Sequence, residues 1–132
     1  MKRTLITYTA FALFAVFAST THADSKTDSY GNTALMSAAA IGDASTVQQL
    51  IDGGAEVNAR SDIGNTALIY AAQEGHIEVV EVLIRAGAAA GLANDYNATA
   101  PKLALGYGHD EILKILKTAP TQSSYNLIAA SF

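Results

Sequence analysis

Residues Gly64 to Ala88 read GNTALIYAAQEGHIEVVEVLIRAGA, and this stretch decides the fold. It holds two short apolar segments at helical spacing. Ala67, Leu68, Ala71 and Ala72 form the first; Val79, Val80, Leu83 and Ile84 form the second. Each follows the i, i+3, i+4 pattern of a helix with one buried face. Gly75 divides the two segments, and Gly87 follows the second, where a residue of positive φ is wanted. Two helices this short cannot bury both apolar faces alone, because isolated helices of such length are marginal in water. The unit requires neighbours.

The neighbours lie 33 residues away on either side. Moving back by 33, Gly31-Asn32-Thr33-Ala34-Leu35 falls on Gly64-Asn65-Thr66-Ala67-Leu68, Ala38-Ala39 on Ala71-Ala72, Gly42 on Gly75 and Leu50-Ile51 on Leu83-Ile84. Moving forward, Thr99-Ala100, Ala104, Gly108-His109, Ile112-Leu113 and Ile115-Leu116 match. A period of 33 in the order turn, helix, turn, helix marks a solenoid. The pattern resembles the ankyrin repeat, whose motif runs G-x-T-P-L-H-x-A-A-x-x-G-H-x-x-V-V-x-x-L-L-x-x-G-A. The resemblance spans Asp28 to about Lys117, with repeats expected at about 28–60, 61–93 and 94–120. Ala34, Ala67 and Ala100 stand where the family usually has proline, and Met36, Ile69 and Lys102 replace its first histidine. The resemblance implies an all-α array of three helix-turn-helix units with turn or hairpin tips.

Differences between the units mark the ends of the array. Val79 and Val82 correspond to Ile112 and Ile115, but to Thr46 and Gln49 in the first unit. Polar residues there fit an outer, solvent-facing cap. At the other end Lys117 replaces Ile51 and Ile84, and Ala119-Pro120 replaces the expected Gly-Ala. Proline stops a helix there. In the remaining tail, 121–132, Tyr125, Leu127, Ile128 and Phe132 suit either a helical turn over the last unit or a frayed end.

The N-terminus is of a different kind. Lys2 and Arg3 precede a mostly apolar run from Leu5 to Phe17, followed by small side chains at Thr21 and Ala23. These are the parts of a secretory signal peptide over 1–23, cleaved after Ala23, and the run is too short to span a membrane. A domain of residues 24–132 remains. The full chain has 8 basic and 12 acidic residues, a net charge of −4. Without Lys2 and Arg3 the balance moves to about −6, which argues against nucleic acid or an anionic membrane as partner. Cysteine is absent, which favours a bacterial periplasm over an extracellular animal setting.

The chain carries little that could do chemistry. His76 and His109 are 33 residues apart, at equivalent places in neighbouring units. Packed helices stand about 8–10 Å apart, whereas two ligands of one ion must both approach to about 2 Å. Both histidines also fall where the family motif has one, so a structural role is expected. Gly106-Tyr107-Gly108 lacks the third glycine and preceding strand of a dinucleotide loop. Glu78 and Glu81 are expected on a solvated helix face. No catalytic, cofactor or metal residue is assigned, and no enzyme is expected.

A surface remains. In ankyrin arrays the turn tips and the exposed ends of the first helices form the binding face, which implies Tyr30, Ile63 and Tyr96 at the tips and Ile41, Glu74 and Tyr107 at the helix ends. Turn tips favour Gly, Asn, Asp or Ser, so large apolar side chains there, in phase, point to a covered surface. The alternative is that they lean back on their own repeats. Arg60, Asp62 and Asp95 are expected as the polar rim. The chain thus reads as an exported, monomeric, periplasmic module that binds another protein. Its resemblance to short exported bacterial ankyrin proteins implies an accessory to a periplasmic enzyme such as a catalase; an inhibitor or immunity protein that blocks an active site is the alternative.

Overall fold

The structure, a computed structural model, describes residues 27–119. The leader expected over 1–23, its cleavage site after Ala23, and the tail from Pro120 lie outside the described residues.

Six helices follow one another in the described residues, and no strand occurs among them. They are α1 (Ala34–Ile41), α2 (Ala44–Asp52), α3 (Ala67–Glu74), α4 (Ile77–Arg85), α5 (Ala100–Gly106) and α6 (Asp110–Thr118). The all-α array of three helix pairs expected from the period of 33 is what forms.

Each first helix starts on a threonine. The hydroxyl oxygens of Thr33, Thr66 and Thr99 accept from the backbone N–H of Met36, Ile69 and Lys102. That bond satisfies one of the donors a helix start leaves open. The threonine therefore defines the helix start without the family's proline, and Pro101 enters only one residue later, in the first turn of α5. At the far ends of α1 and α3, Gly42 and Gly75 adopt the left-handed conformation at φ +83°, which turns the chain into the second helix.

The helices stack in two layers. α1, α3 and α5 lie side by side, as do α2, α4 and α6, and each first helix packs on its own second helix. The core runs between the layers through Leu35, Met36, Val47, Leu68, Ile69, Val79, Val80, Leu83 and Ile112. Met36 and Ile69, at the family's histidine position, are buried apolar residues; Lys102 at the third such position is exposed and donates to the carbonyl of Asn97 at 3.0 Å. The outer side of α2 is polar as expected, with Gln49 exposed and Thr46 half-buried, where Val79 and Val82 are buried in α4.

Candidate binding surface

The tips are built by short polar side chains that close tight turns. Asp28, Ser61 and Asn94 hold equivalent places, and each donates its N–H across the turn to the carbonyl of Asn32, Asn65 or Ala98 at 2.9–3.0 Å. Asp28 Oδ1 accepts from the N–H of Tyr30 and Asn32; Asn94 Oδ1 accepts from Tyr96 and Ala98. Such Asx turns bind the backbone that a loop would otherwise leave unpaired. The side-chain amide of Asn32, then the backbone N–H groups, hold the Asp28 carboxyl below its ordinary pKa. The residue closing each turn needs positive φ. Gly31 and Gly64 supply it at +73° and +78°, and in the third tip Asn97, at +58°, replaces glycine.

Neighbouring tips are joined by backbone. The N–H of Asp62 donates to the carbonyl of Tyr30 at 3.1 Å, and that of Asp95 to the carbonyl of Ile63 at 3.0 Å. This ladder places Tyr30, Ile63 and Tyr96 in one row. Tyr30 is 72% exposed and Tyr96 76%, so neither leans back on its own repeat; Ile63, at 41%, does so in part. Asp62 and Asp95 are exposed beside them. Arg60 is exposed too, but its guanidinium is engaged: Nη2 donates to the carbonyl of Ala93, 33 residues on, at 2.6 Å. It serves as an inter-repeat strut.

Ile41, Glu74 and Tyr107 form a second row. Ile41 is 75% exposed, Glu74 is exposed, and the exposed Tyr107 ring stacks on His109 with centroids 6.4 Å apart. The first helices run from one row to the other. At 1.5 Å per residue, eight residues separate the rows by about 12 Å, so the six residues form two parallel lines rather than one cluster. Tyr70, which the sequence did not single out, is half-buried on α3, and its hydroxyl donates to Oδ1 of Asn32 at 2.8 Å. In the next unit the amide of Asn94 donates to Oδ1 of Asn65, also at 2.8 Å. The asparagine repeated at 32 and 65 was the available clue to this strapping.

The histidines are structural clamps. The Nε2 of His76 lies 2.9 Å from the carbonyl of Ala40, and that of His109 lies 3.0 Å from the carbonyl of Gln73. Each thus bonds the end of the first helix in the preceding unit. The clamped backbone turns at Gly42 and Gly75, where an added Cβ would lie 2.6 Å from the histidine ring. Each histidine therefore packs on the glycine of the preceding unit and not on the glycine beside it in sequence. Asp43 replaces histidine in the first unit, where no preceding unit exists among the described residues, and it caps α2 through the N–H of Thr46 at 3.0 Å.

The family model for ankyrin repeats, in three copies, matches residues 35–127. No curated protein matches the chain. The match covers most of the sequence, and the chain belongs to the ankyrin-repeat family, whose members are in general non-catalytic modules that bind other proteins.

Proposed function

We propose that this protein recognises a protein partner through the row of tips, and that the partner presents basic and apolar side chains. The supporting observation is the ladder-linked row of Tyr30, Ile63 and Tyr96 with the carboxylates of Asp62 and Asp95 beside it. Exposed aromatics on rigid backbone are the usual anchors of interfaces, since they bury large area at little entropic cost. The net charge of −4 complements a basic partner. The tips rather than the helix ends carry the reading, because Tyr107 is already stacked on His109.

The setting we propose is the periplasm, with the protein acting as accessory to an exported enzyme such as a catalase. The leader-like residues 1–23 and the resemblance to short exported bacterial ankyrin proteins support it. The test is capture of exported proteins on the immobilised chain, followed by titration of the captured partner. Tyr96→Ala is expected to weaken binding about thirtyfold, the loss of roughly 2 kcal/mol typical of an anchor residue. Glu78→Ala, exposed on α4, is expected to bind like the parent. Normal binding by Tyr96→Ala together with failure of Glu78→Ala would move recognition to the helical face. Capture of an enzyme whose activity falls on binding would favour the inhibitor role.

A further inference from the structure

Asn97 is the odd residue among the three turn closures. At the equivalent places Gly31 and Gly64 have no side chain, and a Cβ on either would press on the next tip. At Gly64 it would lie 3.2 Å from the Cα of Asn94 and from Oδ1 of Asp95. No tip follows the third among the described residues, and asparagine tolerates the left-handed conformation, so a side chain fits there. Ala98 and Thr99 follow it. Asn-Ala-Thr is the acceptor pattern for an N-linked sugar, which requires a surface loop of an exported protein. Of the asparagines in the chain, only Asn97 has serine or threonine two residues on.

We infer that Asn97 is the acceptor of an N-linked glycan, an inference that rests on the export proposed above. Its backbone is tied into the turn: the N–H donates to the carbonyl of Asn94 at 2.9 Å, and its carbonyl accepts from Nζ of Lys102 at 3.0 Å. The residue is exposed all the same, so the side chain is what the turn offers outward. Thr99 caps α5 with its oxygen, accepting from the N–H of Lys102 at 3.4 Å, and its hydroxyl hydrogen stays available to a transferase. Asp95, exposed two residues ahead, gives a cationic transferase surface an ionic handle on the same turn. The stretch Asp95-Tyr96-Asn97-Ala98-Thr99 thus holds carboxylate, amide and hydroxyl at alternate places. The second tip, Asp62-Ile63-Gly64-Asn65-Thr66, has the first and the last but glycine between them. In the transfer, the Asn97 amide nitrogen bonds to the anomeric carbon of a lipid-diphosphate-linked sugar. The bond from that carbon to phosphate oxygen breaks, its electron pair leaves with the diphosphate, and one amide proton passes to a base of the transferase. A glycan here stands beside Tyr96 and covers one end of the row of tips.

The test produces the full chain in bacteria that carry a periplasmic oligosaccharyl transferase and its lipid-linked donor, and reads the intact mass of the recovered protein. The parent is expected to gain the mass of one glycan, carried by the peptide that contains Asn97. Asn97→Gly restores the residue of the other two tips, and should fold and gain nothing. Thr99→Asn keeps a cap acceptor for α5 without the hydroxyl, and should also fold and gain nothing. Thr99→Ser should be modified like the parent. Asp95→Ala should be modified about tenfold more slowly, the loss expected for one ionic contact. A parent that has lost its leader and gained no glycan would overturn the acceptor site alone. A parent that keeps Met1 and gains no glycan would overturn export and the acceptor site together. Added mass that persists in Asn97→Gly would place the sugar elsewhere and refute the assignment. None of these outcomes depends on which protein the tips bind.

Discussion

Gly75 and Gly108 share a conformation, φ +83° and +78°, but not an environment. At Gly75 an added methyl meets the His109 ring at 2.6 Å; at Gly108 it meets nothing among the described residues. Gly108→Ala is expected to cost about 1–2 kcal/mol, the strain of a left-handed non-glycine residue. Gly75→Ala should cost more, and the excess should vanish in a His109→Ala background, since only the clash depends on the ring. Urea melts of the four variants measure this; equal losses at the two glycines would mean that the clamp has room to yield. Val80 tests packing. It is fully buried in the middle unit, so Val80→Ala is expected to cost about 2–3 kcal/mol. Thr46→Val, on the outer side of α2, should cost less. Its loss comes from the hydroxyl, which donates to Asp43 Oδ2 at 2.6 Å, and not from any cavity. A larger loss from Thr46→Val in the same melts would place a packed neighbour on that outer side.

At the scale of the helix, the caps carry the pH response. The carboxyl of Asp43 is held below its ordinary 3.8, first by the Thr46 hydroxyl and then by the Thr46 N–H at the start of α2. The folded value lies below the unfolded one, so folding favours the ionised form. This contribution is fully present above pH 3.8 and is lost as pH falls through the lower folded value. Asp43→Asn keeps a cap acceptor but cannot ionise. The stability gap between parent and variant at neutral pH is therefore expected to narrow as the carboxyl of the parent protonates. Urea midpoints at neutral pH and below pH 3.8 measure the gap; a constant gap would remove Asp43 from the acid response. Asp28, lowered by its own turn, remains in both proteins as a second contributor of the same sign.

For the whole molecule, stacking matters more than any single helix. Each unit offers an apolar side to the next, so stability follows from neighbouring pairs and an uncovered end weakens the array. Export bears on this scale as well. If the leader is removed after Ala23, intact mass of the protein recovered from the cell should correspond to a chain starting at Asp24. Recovery of a cytoplasmic species that retains Met1 would refute export, and with it the periplasmic setting, while leaving the row of tips as it stands.

The repeat was legible because it is a matter of spacing. Gly31, Gly64, Gly42 and Gly75 recur at places where the backbone needs positive φ, and Thr33, Thr66 and Thr99 recur where helices begin, so local chemistry alone wrote the period of 33 into the chain. The exposure of the tip residues could likewise be anticipated, since Tyr30 and Tyr96 sit in turns where no helix face exists to receive them. What passes between units was not legible from one unit at a time. That His76 reaches the carbonyl of Ala40, that Arg60 reaches Ala93, and that Tyr70 is tied to Asn32 depends on how far each helix pair is shifted and turned against the last. The same stacking separated the candidate residues into two rows a helix length apart. Side-chain spacing along a chain records which residues share a helix face; only the packed array decides which atoms of the next unit that face will meet.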